Sequence, residues 1–283
     1  MAIETLNESA VEGLLKGINI PPQPTVLRTV LTEKQKEFPD LRKIGNEVSK
    51  DVGLAAAMLR AANSPAFAMR QKITSIPQAV MSLGMDNAIS LITGLSLRMA
   101  LSGKGKSVQL NRFWDNATNV AVICAFLGQR LQVLSSDQGY LLGLFHHCGI
   151  PMLMQKFEQA AKLYDASHVA EESILSIEER ELGTNHAVVG YIVARSWSLP
   201  EETREVILNH HDEHLLKEPA DRIQLAKHVG LLALSTHLNH SYYHATADTM
   251  WERIGFDVIE LLGLNSDDLS DLDEETKDLL SAA

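Results

Sequence analysis

The stretch LLGLFHHCG, residues 141–149, joins an apolar run to two adjacent histidines. We predict that it lies within one long helix over residues 137–157. The same helical spacing of apolar residues appears upstream, at Val26 and Val30 and again at Ile44 and Val48. No run of alternating β-branched residues bounded by turns occurs in the sequence. The pattern therefore predicts an all-α fold.

Helix-start and helix-stop signals divide the chain into about a dozen helical segments. Thr25 and Ser75 are typical N-cap residues, and Pro77 lies early in the turn that follows Ser75. The short polar stretch SGKGKS, residues 102–107, has the composition of a linker. We therefore predict an N-terminal helical subdomain over residues 1–105. A second helical region, with an acidic helix at its C-terminal end, is predicted over residues 106–283.

Charge and histidine content differ sharply between these two regions. The 283 residues carry a formal net charge of −11. Residues 1–105 contain 12 basic and 9 acidic side chains, whereas residues 106–283 contain 13 basic and 27 acidic ones. All 11 histidines fall between His146 and His244. The asymmetry indicates two regions of different role, and the negative charge argues against nucleic acid as the main partner.

Several other classes of protein are disfavoured by the sequence. The most apolar stretch, Val120–Leu127, is far shorter than the ~20 residues that a membrane-spanning helix needs. Two cysteines are too few for a disulfide framework and suit a reducing compartment. Three glutamates near the start interrupt any signal-peptide pattern. We therefore expect a cytoplasmic protein that does not interact with membranes.

Five histidines stand out by position: His146, His147, His186, His210 and His211. The first two follow an apolar run, His186 starts a predicted helix, and the last two lie where another predicted helix ends. Imidazoles that converge from different helices are a common way to build a metal site in a helical fold. Adjacent residues of a helix diverge by about 100°, so we expect each adjacent pair to send at most one side chain straight into a shared pocket. The alternative is that these histidines cap helix ends or fill the core. Spacing alone leaves both interpretations open.

Short motifs follow one another in a recognisable order. In the first half they are IPPQP at 20–24, DVGLAA at 51–56, LRAANS at 59–64 and ITSIPQAV at 73–80. In the second half they are GLFHHCG at 143–149, ELG at 181–183, NHAVVG at 185–190, WSLPE at 197–201 and a segment over 207–213. Together they resemble the HDOD family, the HD-related output domain of bacterial signalling proteins, over about residues 18–240. The resemblance implies that the two regions pack as one unit.

The resemblance also implies a core derived from the HD-type metal-dependent phosphohydrolases. Those enzymes hold divalent metal with a histidine, an adjacent His-Asp pair and a later aspartate. The corresponding positions here are Asn116, the pair His146-His147, and a residue near Leu231. Only His146 matches the pattern, so the set lacks the carboxylates that hold hard cations and activate water.

We therefore predict a non-catalytic bacterial signalling module that binds a protein partner or a small ligand, with no catalytic residue. The oligomeric state stays open. No cofactor or metal is expected, although zinc or nickel could bind adventitiously to the five histidines. The alternative is a metal-dependent phosphohydrolase that acts on a nucleotide or phosphodiester through an atypical histidine-rich site. The candidate pocket residues are Asn116, His146, His147, His186, His210 and His211.

Overall fold

All regular structure in the described part of the chain is helical, which confirms the predicted fold class. The computed structural model describes residues 17–67, 69, 71–102, 108–167, 173–244 and 246–281. Most of the predicted linker, residues 103–107, lies outside these residues. None of the described helices combines the length and hydropathy that a bilayer span requires.

Five α-helices of the described residues precede the predicted linker. Side chains of Asp40, Asp51 and Ser75 cap three of them by accepting hydrogen bonds from backbone N–H groups of the first turn. Thr25 is the first helical residue rather than the N-cap, because Pro24 takes the extended conformation at that position. The helices are α1 (Thr25–Lys34), α2 (Leu41–Ser49), α3 (Val52–Ala62), α4 (Ile76–Leu83) and α5 (Met85–Leu101), with a short 3₁₀ turn at Pro65–Phe67.

Eleven further α-helices are described in the second region. They are α6 (Val108–Arg130), α7 (Ser136–Phe145), α8 (Gly149–Lys156), α9 (Ala160–Ser167), α10 (Ile174–Leu182), α11 (His186–Ser196), α12 (Glu201–Asn209), α13 (Glu213–Lys217), α14 (Ile223–Tyr243), α15 (Thr249–Leu262) and α16 (Ser266–Ser281). Helices α9 and α13 are short and were not predicted.

The prediction of a single helix over residues 137–157 is wrong, because the helix is interrupted between Phe145 and Gly149. Helix α7 ends at Phe145 and α8 begins at Gly149, which leaves His146 and His147 in the intervening turn. A side chain at Gly149 would collide with the backbone carbonyl of His186 at the start of α11. Close contact with α11 therefore accompanies the break in the helix.

Small residues let α7 pack against the backbone of α6. A Cβ atom added at Gly143 would lie 2.6 Å from the Cα of Ala121. One added at Gly139, one turn earlier, would lie 2.9 Å from the Cα of Ala125. Real Cβ atoms do not approach backbone atoms this closely, so both positions require glycine for this packing. The close contact fixes the C-terminal end of α7, where the histidine pair lies.

Buried hydrophobic residues from both predicted regions belong to one contiguous core cluster, which extends from Leu27 in α1 to Leu280 in α16. The indole N–H of Trp197 donates a hydrogen bond to the carbonyl oxygen of Pro21, at 2.9 Å. This hydrogen bond connects the N-terminal segment to the region that carries the histidines. The division of the chain at residue 105 stays a prediction.

We predict that Gly143→Ala lowers the free energy of unfolding by about 1–3 kcal/mol, because the added methyl group meets the backbone of α6 and cannot be accommodated by a rotamer change. Gly230→Ala in α14 is the matched control, since its methyl group would meet a flexible leucine side chain at 3.3 Å. Alanine also favours the helix by roughly 0.5–1 kcal/mol over glycine. Urea unfolding of both variants measures the difference, and equal stability would contradict the packing described.

Candidate metal centre and ligand cavity

His146 and His147 lie in the turn that follows α7. Nδ1 of His146 is 2.8 Å from the carbonyl oxygen of Gly143. A carbonyl oxygen only accepts hydrogen bonds, so Nδ1 carries the proton and Nε2 presents its lone pair. The ring of His147 lies 5.0 Å, between centroids, from the rings of both His186 and His210. The turn therefore brings the first histidine pair to the other three residues.

His186 is the first residue of α11. Gly183 ends α10 in the left-handed conformation, with φ of +73°, and Asn185 caps α11 by accepting a hydrogen bond from Val188 N. The buried carboxylate of Glu178 accepts hydrogen bonds from the backbone N–H of His186 at 2.8 Å and from its Nδ1 at 2.7 Å. The carboxylate orients the ring and leaves Nε2 free to bind a cation.

His210 and His211 lie in the turn between α12 and α13. Nδ1 of His210 donates to the carbonyl oxygen of Ile207 at 2.7 Å, so its Nε2 also presents a lone pair. The Asp212 side chain then starts α13 by accepting from two backbone N–H groups. The expectation that only one residue of each adjacent pair faces the pocket is wrong for this pair. The reason is that both histidines follow the helix end, where the 100° rotation no longer applies.

Four histidines of the described residues bring ligand nitrogens within 4.8 Å of one another: His147, His186, His210 and His211. Nε2 of His186 lies 3.2 Å from Nε2 of His210 and 3.2 Å from Nε2 of His211. Because Nδ1 of both His186 and His210 donates elsewhere, their facing lone pairs repel unless a proton or a metal ion lies between them. Two imidazoles bound to one tetrahedral zinc at ~2.0–2.1 Å have nitrogens about 3.3 Å apart. The spacing in the cluster fits a metal site.

Burial favours the neutral form of four of the five histidines. Desolvation lowers the pKa of His146 from 6.5 to about 4. Desolvation is also the largest cause that lowers the pKa values of His147, His210 and His211 well below the usual histidine range, and the neighbouring imidazoles add to it. Neutral imidazole is the form that binds transition metals. Burial therefore favours the metal-binding form of these four rings at neutral pH.

The histidines form the floor of a cavity of about 830 Å³ between α6, α14 and α15. His146 lines this cavity but is not among the four histidines whose ligand nitrogens meet. Asn116 also lines it, and its Oδ1 accepts a hydrogen bond of 2.6 Å from Nδ2 of Asn239. Leu231 is fully buried and does not line the cavity, whereas its neighbours Leu232 and Ala233 do. All six predicted pocket residues thus lie around one cavity.

A model of the HDOD domain matches residues 20–213, which is more than half of the chain. The chain belongs to the HDOD domain family. This confirms the resemblance that the motifs indicate. An uncharacterized protein of Treponema pallidum (strain Nichols) is 26% identical over 201 residues, or 69% of this chain. The chain spans only 38% of the length of that relative.

Solved structures share the fold of this HDOD chain. A protein from Shewanella amazonensis SB2B, provisionally named a phosphohydrolase, is 22% identical, and the alignment covers 94% of this chain and 93% of that one with a TM-score of 0.69. A protein from Marinobacter aquaeolei VT8, provisionally named for signal transduction, is 19% identical. That alignment covers 95% of this chain and 60% of the other, with a TM-score of 0.60. At these identities the likeness establishes the fold alone.

Sequence reasoning missed Glu178, which holds His186 in place. The residue lies four positions after Ile174 and four before Leu182, so it falls on the apolar face of α10. A carboxylate at such a position is buried only when it has a partner. Its place within an apolar stripe was the signal that pointed to a buried polar contact.

Cys148, which follows the histidine pair, is fully buried, and desolvation raises its pKa to about 12.

We predict that Glu178→Gln weakens zinc binding by about 10- to 100-fold, because glutamine no longer supplies the charged acceptor that orients His186. Glu181→Gln is the matched control, since Glu181 is exposed on the same helix. Titration of the metal-free chain with Zn²⁺ by calorimetry gives both affinities. Equal affinity for the two variants would show that Glu178 does not support the cluster.

The lowered pKa values predict that the metal-free protein loses stability on acidification. Between pH 6.5 and about 4 the unfolded chain binds protons on His146 that the native chain does not, so the free energy of unfolding falls as the pH falls. Each histidine of this kind contributes roughly 1 kcal/mol per pH unit. Urea unfolding at pH 7, 6 and 5 with a chelator present measures the slope. His146→Asn should reduce it, and an unchanged slope in that variant would contradict the prediction.

Proposed function

We propose that this HDOD protein is a non-catalytic signalling module that binds a small ligand in the histidine-floored cavity, and that a protein partner responds to the bound state. The cytoplasm is the compartment that the low cysteine content favours. Four imidazoles whose ligand nitrogens converge at the base of a large cavity are the observation that carries the proposal. Cavities of this volume are typical of small-molecule binding sites.

The donor set favours a transition metal over the cations used in phosphate hydrolysis. Imidazole nitrogens suit zinc and nickel, whereas Mg²⁺ requires carboxylate, carbonyl or water oxygens. The group of described residues that could hold a metal contains no carboxylate. Three acids line the cavity, and none belongs to that group: Asp115 is exposed on α6, Glu213 accepts from Arg253 Nε, and Asp248 accepts from His237 Nδ1 and from Trp251 N. We propose zinc or nickel as the metal.

The lack of a carboxylate in this group of described residues argues against phosphohydrolase activity by the HD-type mechanism. That chemistry needs oxygen ligands around the metal and a carboxylate that helps to activate the attacking water. At the HD-type positions, Asn116 is committed to a hydrogen bond with Asn239 and the side chain of Leu231 has no donor atom. The cluster is therefore suited to holding a metal and a ligand rather than to cleaving a phosphate ester.

The experiment measures metal content and turnover on one preparation. The full chain is loaded with Zn²⁺, Ni²⁺ or Mn²⁺ and incubated with phosphate monoesters, phosphodiesters and nucleotides. We expect tight binding of Zn²⁺ or Ni²⁺, weak binding of Mn²⁺, and no release of phosphate or nucleotide above that of His210→Ala. Metal-dependent turnover that His210→Ala abolishes would contradict the proposal and establish the phosphohydrolase alternative.

A further inference from the structure

The cavity above the histidine cluster has mainly apolar walls. The histidine cluster and the exposed side chains of Arg112 and Arg253 line it together with many apolar side chains. The apolar part of the lining includes Phe113, Val120, Ile150, Met154, Leu232 and Ile254. A ligand that fills this space gains free energy by removing its own apolar surface from water. The observation points to a ligand with a sizeable apolar body.

Several polar groups of the same walls are engaged with one another or with the backbone. Besides the pair of Asn116 and Asn239, Nδ2 of Asn119 donates to the hydroxyl of Tyr243 at 3.1 Å. The hydroxyl of Thr236 donates to a backbone carbonyl of its own helix. Oδ1 of Asn239 has no partner, but it is covered by other atoms. These groups are therefore less available to a sugar or a nucleobase.

Charge at the floor favours a ligand with a single negative charge. Imidazole binds a metal in its neutral form, so a divalent ion held by these rings would bring two positive charges into a buried site. Glu178, bonded to His186, supplies one negative charge. Burial of the remaining positive charge is costly unless an anion compensates it. A monoanion balances the site, whereas a phosphate monoester carries about −1.5 to −2 charges at neutral pH.

We propose that the ligand is an organic acid with an apolar body, whose carboxylate coordinates the metal on the histidine cluster while its body packs against the apolar walls. This inference rests on the proposed ligand-binding function and names the chemical class of the ligand. Zinc held by three of the four imidazoles would keep one tetrahedral position for the carboxylate, and all four histidines line the cavity that would contain the apolar body.

The test is a chain-length series measured on the zinc-loaded full chain. Acetate, butanoate, hexanoate and octanoate are titrated by calorimetry, with 1-octanol, inorganic phosphate and AMP as comparison compounds. Affinity should rise about fourfold for each added CH₂ group until the cavity is filled. Removal of zinc with a chelator should abolish the binding of octanoate, and 1-octanol should bind at least tenfold more weakly than octanoate.

Two variants locate the apolar body without affecting the metal. Met154→Asp and Met250→Asp each place a carboxylate on a half-buried position of the cavity wall. Each substitution should lower the affinity for octanoate at least tenfold and leave the affinity for zinc unchanged. Met81→Asp is the matched control, since Met81 is 62% exposed on α4 and does not line the cavity. It should bind octanoate as the unaltered chain does.

The outcomes separate this inference from the function on which it rests. Affinity that does not depend on chain length, or AMP binding more tightly than octanoate, would overturn the organic-acid proposal and leave small-ligand binding intact. If zinc binds but none of the carboxylates, phosphate or AMP does, both the inference and the ligand-binding function fail. The chain-length series uses the unaltered protein, so its result holds even if a variant does not fold.

Discussion

The close contact between the backbones of α6 and α7 is the constraint on which the histidine site depends. Gly139 and Gly143 allow α7 to approach Ala121 and Ala125 until no side chain fits between the helices. Gly149 makes an equally close contact with α11 at its first residue, His186. Because these contacts are made by backbone atoms, they leave little freedom for adjustment. They set the distance between the two turns that carry His147 and His186.

Within that frame, hydrogen bonds to Nδ1 decide what the histidines can do. Backbone carbonyls accept from His146 and His210, and the Glu178 carboxylate accepts from His186. Each bond places the proton on Nδ1 and points the Nε2 lone pair away from the backbone. The same residues therefore serve as helix-end caps and as candidate metal ligands. Spacing alone left open whether the histidines have a structural role or bind a metal. The two roles are compatible, because Nδ1 makes the structural hydrogen bond and Nε2 of the same ring can bind the metal.

The sequence was sufficient to predict the helical class and the family, and it singled out six residues that the structure places in the cavity lining. Local signals are strong for these features: apolar spacing, Ser75 as a cap, and the Gly183–Asn185 break before His186. The break after Phe145 was missed because nothing in the local apolar pattern marks it. It coincides with a contact between residues 149 and 190, which are distant in sequence. Tertiary contacts of this kind do not show in periodicity.

The central claim is that histidine nitrogens, without carboxylates of the chain, hold a metal at the base of the cavity. X-ray absorption spectroscopy at the zinc edge of the loaded chain tests it most directly. We predict three or four imidazole nitrogens at ~2.0–2.1 Å, with the remaining position taken by water or an added anion. A shell of carboxylate oxygens from the chain, or a metal bound without imidazole, would contradict the account.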